Sequence, residues 1–451
     1  MEHTKSMTEG HPLKLILYFA LPLILANLGQ QLFQIVDAVI LGQGVGVRGL
    51  SAVGAGDWAY FLPLWSVTAL TQGLAIPISH AFGEKNLVKL RRLVGTSALL
   101  SVASSLLFVL VFLLVLSPLL QVLNTPADIF SDTRAYLAIM YLGLLIVTAY
   151  NMAGSVLRAL GDSRSPFIAI LVAAISNIAL DCLFIFGFHW GVAGAAAATV
   201  IAQASALIYC LISLKRIPFL ALKPDDFRPR WELVKEALRM GSTLCIQHAF
   251  IGLGGILFQS AINLQGSAFI AGFTAVNKIF GLLESSAISM GHAVTTFVAQ
   301  NRGARKPERI RQGVKQSAFF SLLIAVFIAV MMFLLGYFII SLFVEKQSGQ
   351  FDEVMRAAMN YLHAISLFLP TLYILFITRS MLQGLGQIVI PFLAGFLEFL
   401  ARGSAALVFF PLWGPDVLYY TEPFAWIAAV LSLIPATIFS FHQMKRDSFV
   451  M

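Results

Sequence analysis

The segment LRALGDSRSPFI at residues 157–168 reappears in altered form as LQGLGQIVIPFL at residues 382–393. The shared positions are Leu157/Leu382, Leu160/Leu385, Gly161/Gly386, Pro166/Pro391 and Phe167/Phe392. The triplet LFQ at 32–34 returns at 257–259 with the same spacing, and the basic stretch GEKNLVKLRR (83–92) corresponds to GARKPERIRQ (303–312) at a slightly shorter spacing. Matches that recur in the same order at nearly one spacing predict a duplicated chain.

The composition indicates that this duplicated chain lies in a membrane. Of its 451 residues, 59% are hydrophobic and only 12% are charged, whereas soluble domains carry about 25% charged residues. This excludes nucleic-acid-binding and disulfide-rich secreted proteins. Apolar runs long enough to cross a bilayer predict an all-α polytopic membrane protein with twelve transmembrane helices. They fall near 13–41, 50–81, 93–122, 134–158, 166–188, 191–214, 238–264, 269–299, 316–344, 356–383, 388–411 and 418–442.

The predicted helices divide into two lobes of six. Residues 1–214 form the amino-terminal lobe, 215–237 a cytoplasmic linker and 238–451 the carboxyl-terminal lobe. An even number of helices gives both lobes one orientation, so we expect a pseudo-two-fold axis along the membrane normal. Most of the 30 Lys and Arg residues, Arg379 among them, fall at the termini or in even-numbered loops. This asymmetry predicts a plasma-membrane protein with both termini in the cytoplasm. The helix count also fits the major facilitator architecture.

Polar residues form stripes on three helices of the amino-terminal half. Spacings of three and four residues place them on single helical faces. The first helix carries Asn27, Gln30, Gln34 and Asp37; the fifth carries Asn177 and Asp181; the sixth carries Thr199 and Gln203. A charge at bilayer depth costs several kcal/mol, which makes an intramembrane acid a functional candidate. The amides and the threonine have a second interpretation, as donors and acceptors that hold helices together.

The second half does not retain the two acids. At the spacing that relates Leu157 to Leu382, Asp37 corresponds to Ile262 and Asp181 to Ala406. Because the duplicated fold accepts apolar residues at these positions, we interpret the acids as functional. Carboxylates surrounded by amides and a hydroxyl offer either a site that takes up a proton or an all-oxygen pocket for a hard cation.

Other residues within the apolar runs have structural interpretations beside functional ones. Glu398 and Arg402 stand at positions i and i+4 and are expected to pair with each other. Glu284 either lines a cavity and attracts a cation or serves packing. Pro22 and Pro370 each remove a helical hydrogen bond and are expected to bend the first and the tenth predicted helix.

Enzyme motifs are missing from the sequence, which has no Walker loop, HExxH or GxSxG motif. We therefore expect a protein that is not an enzyme and has no cofactor or resident metal. A membrane lipid transferase would need acidic clusters in its loops, and Asp225–Asp226 is the only close candidate.

Four longer segments carry a resemblance to a known family. They are FALPLILANLGQQLFQIVDAVILG (19–42), GLAIPISHAFGEKNLVKLRR (73–92), the region from LRALGDSRSPFI to VIAQ (157–203), and FVAQNRGARKPERIRQG (297–313). Together they resemble the multidrug and toxic compound extrusion (MATE) family over nearly the whole chain. This resemblance separates the chain from the major facilitator architecture.

The resemblance implies a cation-coupled antiporter that exports organic cations or other amphipathic molecules, with H⁺ or Na⁺ as the coupling ion. The family's bacterial branch keeps an acid in helix 1 and Asn-x3-Asp in helix 5, which match Asp37, Asn177 and Asp181, and Thr199 matches the hydroxyl of that cation site. The branch with acids in helices 7 and 10 is not matched. We expect a monomer in the lipid bilayer with a small-molecule substrate and no nucleic-acid partner.

One alternative transport function stays open at this point. A flippase for a lipid-linked cell-wall or glycan precursor would use a related fold. It would favour several arginines that face the cavity, because these would hold a pyrophosphate. The predicted amino-terminal helices carry none, and Arg402 already has an expected partner in Glu398.

Overall fold

The computed structural model describes residues 5–123, 125–344 and 350–448. One helical stretch, Pro12–Gly83, is interrupted at Gly46, whose φ of 76° and ψ of −171° are not helical. We name its parts α1 (Pro12–Gly46) and α2 (47–83). The other helices of the first half are α3 (Leu87–Val122), α4 (Ala127–Ala159), α5 (Arg164–Asp181) and α6 (Gly191–Lys215). A π-helical turn, Cys182–Gly187, continues α5.

The second half begins with α7 (Trp231–Asn263), which starts about two turns before the predicted residue 238. It continues with α8 (Ser267–Gly303), α9 (Pro307–Ser341), α10 (Phe351–Leu367), α11 (Leu369–Gly384), α12 (Val389–Ser404) and α13 (Asp416–Ser448). A π-helical turn, Ala405–Phe409, and the single helical turn Phe410–Trp413 follow α12. The part of the chain that the structure describes contains no β-strand.

Ten of the described helices are long and apolar enough to cross a membrane, and the pair α10–α11, bent by 47°, meets the same criteria when its two helices are taken together. The break in this pair coincides with Pro370, one of the prolines within the predicted runs, which occupies the first turn of α11. The helix α8 corresponds to the predicted run 269–299 and is unbroken, but it is not among these candidate spans. The chain is therefore an all-α, multi-pass membrane protein.

Contacts divide the described chain into two compact units. The first contains Leu21–Cys245, and the second contains Met7–Ala20 and the described chain from Ile246 onward. The structure thus places the start of α1 with the second unit, whereas the predicted amino-terminal lobe included it. In the first unit, α6 packs along both α4 and α5. The core of the second unit contains stacked rings, with Phe273 and Tyr361 centroids 4.0 Å apart.

The duplication is visible in the backbone. Residues with positive φ recur at corresponding places: Gly46 and Gly266, Lys85 and Arg305, Gly161 and Gly386, Gly191 and Gly414. The spacing of 220 residues between Gly46 and Gly266 places Leu257, and not Ile262, opposite Asp37. The corresponding residue is still apolar. The turns share their hydrogen bonds as well. Asn86 N donates to Ala81 O at 3.1 Å, and Lys306 N donates to Asn301 O at 2.9 Å. Both halves therefore fold through the same turns.

A short segment covers the α8–α9 turn of the second unit. The main chain of Met7 accepts a hydrogen bond from Asn301 Nδ2 (3.1 Å) and donates one to Gln300 Oε1 (2.8 Å). Arg309 Nη2 also donates to Met7 O (3.2 Å), and Lys306 Nζ donates to the main chain of Thr8 (2.8 Å). The segment is thus held by the turn that contains the basic motif.

The linker covers the corresponding region of the first unit. It forms two short turns, Pro218–Leu220 and Pro224–Phe227. Asp226 lies 3.7 Å from Arg91, and a Cβ added to Gly95 would stand 2.3 Å from Asp226 O. Glycine at position 95 therefore allows the linker to lie directly against α3. Asp226 is buried in this contact, which gives it a structural role.

Candidate functional site

The polar stripe of α1 does not form one buried cluster. Its residues lie on one helix, as expected, but Gln30 and Gln34 are exposed, whereas Asn27 and Asp37 are half-buried. Asp37 interacts with the carboxyl group of Asp181 on α5. The structure therefore brings Asp37 into the predicted site and leaves the two exposed glutamines outside its buried part.

The helices α5 and α6 supply the rest of this site. Asn177 and Asp181 are 1% and 0% exposed, and they stand one helical turn apart on α5. Because α6 packs along α5, Thr199 lies beside Asn177, whose Nδ2 donates to Thr199 Oγ1 at 3.5 Å. Thr199 Oγ1 in turn donates to Ala195 O at 3.0 Å. The threonine oxygen thus keeps a lone pair that can accept a further donor or contact a cation.

Buried acceptors without donors distinguish this cluster. Among the residues that the structure describes, no donor reaches either carboxylate oxygen of Asp181, Asn177 Oδ1 or Gln203 Oε1. A buried acceptor left unsatisfied costs roughly 1–3 kcal/mol, and more if it is charged. The arrangement suits a proton shared by the two acids or a cation coordinated by oxygen. In the described chain, no group of three His, Cys, Asp or Glu residues could hold a metal.

The chain is locally unusual next to Asp181. The π-helical turn Cys182–Gly187 begins at the following residue, and such turns often occur at functional sites. A Cβ added to Gly44 would stand 2.2 Å from Ile185 Cγ2 in this turn. Glycine at position 44 therefore lets α1 approach the turn closely, which holds α1 beside α5.

The second unit contains a buried ion network that the sequence predicted only in part. Arg402 Nε and Nη2 bind both oxygens of Glu422, at 2.9 and 2.8 Å. Its predicted partner Glu398 lies farther away, at 3.6 Å, and accepts a hydrogen bond from Arg379. Both arginines are buried. The assignment of Arg379 to a cytoplasmic loop was wrong, because this residue lies inside α11 and neutralises Glu398.

Two members of this network were detectable in the sequence. Arg379 lies within the predicted run 356–383, and Glu422 lies within the run 418–442. The rule that singled out Glu398 and Arg402 as intramembrane charges applies equally to them. Glu284, on α8, is half-buried and lies within electrostatic range of all four residues.

Comparisons with known proteins agree with this architecture. The family model described as MatE matches residues 22–183 and 244–403. The probable multidrug resistance protein YpnP of Bacillus subtilis is 27% identical over 409 residues, which cover 90% of each chain. The probable multidrug resistance protein NorM of Thermotoga maritima is 26% identical over 432 residues, which cover 93% of this chain and 89% of the relative.

Solved structures share the fold. A MATE protein crystallised in its bent conformation superposes with a TM-score of 0.88 at 20% identity, over 99% of both chains. A MATE transporter of the MOP superfamily in an outward-facing conformation matches with the same TM-score, identity and coverage. The family match spans both halves of the duplicated chain, and the chain therefore belongs to the MatE family of multidrug and toxic compound extrusion transporters.

Proposed function

We propose that this protein is a cation-coupled antiporter that exports organic cations or other amphipathic molecules across the plasma membrane. The observation that carries the proposal is the set of buried acceptors without donors around Asp37 and Asp181. The names of the relatives, probable multidrug resistance proteins and a multidrug export protein of Staphylococcus aureus, support drug-like molecules as substrates. The coupling ion is H⁺ or Na⁺, and no other cofactor is involved.

The proposed cycle alternates the charge of this site between two values. A proton or Na⁺ that enters from outside binds at Asp37 and Asp181 and makes the charge of this cluster less negative by one. The site then loses its attraction for a cationic substrate, and the substrate leaves. The ion afterwards moves on to the cytoplasm, and the site regains the charge that attracts the next substrate. In this scheme α1 bends at Pro22 when the ion binds.

The membrane potential drives export only when a cycle moves net positive charge inward, as for a neutral substrate or for two coupling ions per cationic substrate. One elementary charge that moves through about 100 mV releases about 2.3 kcal/mol. This free energy corresponds to a roughly fifty-fold accumulation before any chemical gradient is added.

Site chemistry argues against the flippase alternative. Such a transporter would hold a pyrophosphate with several arginines free of carboxylate partners. Arg379 and Arg402, the buried arginines of the network, both have glutamate partners. We also propose a monomer with both termini in the cytoplasm. The distribution of basic residues supports this orientation, although Arg379 no longer contributes to it.

Efflux from vesicles tests the proposal and identifies the ion. Purified protein is reconstituted in liposomes loaded with a fluorescent cationic dye, and a Na⁺ gradient and a pH gradient are imposed separately. We expect one of the two gradients to drive dye transport against its concentration gradient. Transport that responds to neither gradient would contradict cation coupling.

A further inference from the structure

A cavity of about 540 Å³ lies at the start of α9 in the second unit. Its volume is in the range of sites that hold small ligands. The residues that line it are all charged or polar and belong to the first turns of α9: Glu308, Arg309, Arg311, Gln312, Lys315 and Gln316. Three cations and one carboxylate leave the lining with an excess of positive charge. An anionic ligand therefore suits this cavity.

The single carboxylate of the lining is engaged with only one of the cations. Glu308 Oε2 lies 3.0 Å from Arg311 Nη2 in a partly exposed ion pair. Arg309 has Glu9 within electrostatic range, but its hydrogen bonds go to an uncharged main-chain oxygen. Lys315 is exposed and makes no ion pair with any residue that the structure describes. Even with Glu9 included, the charges around the cavity sum to a positive value.

The first unit fills the corresponding place with its linker. At the spacing of 220 residues between the two basic turns, Arg91 corresponds to Arg311. Gly95 corresponds to Lys315 at the same spacing. The carboxylate of Asp226 lies 3.7 Å from Arg91, and the main chain of Asp226 lies directly against Gly95. The second unit thus has a lysine and an open cavity where the first unit has the linker and its carboxylate.

An exposed apolar face continues from the cavity along α9. Phe319, Leu323 and Val326 follow Lys315 at spacings of four, four and three residues, which places all of them on one side of the helix. The three apolar residues are 65%, 52% and 47% exposed. Since α9 is long and apolar enough to cross a membrane, this face meets the hydrocarbon of the bilayer. The basic cavity lies at the end of that face, where lipid headgroups begin.

We propose that the cavity at the start of α9 binds the headgroup of an anionic phospholipid, whose acyl chains lie along the exposed apolar face of this helix. Phosphate oxygens accept charge-assisted hydrogen bonds from Arg311 and Lys315. The apolar face distinguishes a lipid from a free anion, because only the lipid fills both parts of the site. The proposal goes beyond antiport, since it concerns neither the coupling ion nor the exported substrate.

Native mass spectrometry of the full-length protein in a neutral detergent tests this proposal. It measures the apparent Kd of the first bound lipid, either phosphatidylglycerol or the zwitterionic phosphatidylcholine. The site variants are Lys315→Gln alone and Lys315→Gln combined with Arg311→Gln. The matched control combines Arg230→Gln with Lys235→Gln, which removes two exposed cations around the start of α7.

We expect the unaltered protein to bind phosphatidylglycerol more tightly than phosphatidylcholine. Lys315→Gln should weaken binding of phosphatidylglycerol about fivefold and the double variant about thirtyfold, because a basic residue near an anionic lipid surface contributes about 1 kcal/mol. Binding of phosphatidylcholine should change little in every variant. The control should retain the preference for phosphatidylglycerol.

Equal affinity for the two lipids would overturn the proposal, as would equal losses in the site and control double variants. Inorganic phosphate at the same concentration should not displace phosphatidylglycerol, because it cannot contact the apolar face. Displacement by phosphate would identify a free anion as the ligand and refute the assignment to a lipid. Lys315→Gln breaks no ion pair among the described residues, so unchanged binding in this variant refutes the proposal even if the double variant folds poorly.

Discussion

The two halves of the chain place opposite chemistry at the same position of the fold. At the spacing that relates Leu157 to Leu382, Asn177 of α5 corresponds to Arg402 of α12. Counted from the corresponding turn glycines Gly191 and Gly414, Thr199 of α6 corresponds to Glu422 of α13. The first unit therefore has a weak amide–hydroxyl contact of 3.5 Å where the second has a bidentate ion pair at 2.8 and 2.9 Å.

This difference changes which buried polar atoms lack a hydrogen-bonding partner in each half. The contact in the first unit leaves acceptors unsatisfied at Asn177 and Asp181, and the ion pair in the second leaves a donor unsatisfied at Arg402. The backbone turns survived the duplication, while the side chains at one site changed polarity. A duplicated fold can thus carry side chains of different charge at corresponding positions without a change of topology.

The largest expected effect on efflux comes from removing the acids Asp37 and Asp181, which have no acidic counterpart in the second half. Asp181→Asn and Asp37→Asn should each abolish ion-driven efflux, because both carboxylates bind the coupling ion in the proposed cycle and each variant keeps only one of them. Dye efflux from vesicles measures this effect, and expression should be normal. Asp352→Asn, exposed at the start of α10, serves as the control. Normal drug resistance in cells that carry either site variant would refute the assignment.

The second prediction compares the corresponding residues Arg402 and Asn177. Arg402→Leu leaves the half-buried Glu422 without its bidentate partner and leaves the buried Glu398 with Arg379 alone. It should reduce stability by about 3–5 kcal/mol. Asn177→Leu removes one long hydrogen bond and should reduce stability by only about 1 kcal/mol. Thermal unfolding in detergent measures both. Similar shifts in the two variants would mean that the network is not held together as described.

The third prediction concerns the approach of α1 to the π-helical turn. Gly44→Leu forces a side chain against Ile185 and should destabilise the protein by about 1–3 kcal/mol. It should also reduce ion-driven efflux, because α1 carries Asp37. Leu264 stands two residues before Gly266, as Gly44 stands two before Gly46, and its side chain is 75% exposed. The control Leu264→Gly should leave efflux nearly unchanged. If Leu264→Gly reduced efflux as much as Gly44→Leu does, close packing at Gly44 would not be the cause of the loss.

The smallest expected effect tests whether the two halves share a turn. Lys85 and Arg305 have φ values of 57° and 54°, a conformation that is strained for residues with a side chain. Lys85→Gly and Arg305→Gly should each stabilise the protein by about 1 kcal/mol, since relief of strain exceeds the added entropy of the unfolded chain. Unfolding temperatures should rise by equal amounts, whereas shifts of opposite sign would show that the turns are not equivalent.

Much of the fold could be predicted from the sequence, because apolar runs and a repeated motif are local patterns. The spans, the duplication and the break at Pro370 belong to this class. The early start of α7 at Trp231 was missed because its first turns are polar, as expected for a helix that extends beyond the bilayer. The two π-helical turns leave no signal in the hydrophobic pattern, since one extra residue per turn does not alter composition.

The candidate site was predicted less completely than the fold. The spacing of Asn177 and Asp181 was enough to place them on one face, and the coupling role of Asp37, Asn177, Asp181 and Thr199 stays a prediction. Spacing could not show that Gln30 and Gln34 are exposed, because this depends on which helices pack against α1. The partner of Arg402 could not be predicted from spacing either. Glu422 lies on another helix, and Glu398 is the acid closer to Arg402 in sequence.

The segment around Met7 has a practical consequence for protein production. Its main chain provides hydrogen-bonding partners for Asn301 and Gln300, which are 0% exposed, and for Arg309. Trimming the chain to Pro12 to improve crystals would remove the main-chain hydrogen-bonding partners of these side chains at the end of α8. An affinity tag beyond the exposed residues Lys445 and Arg446 avoids that disturbance.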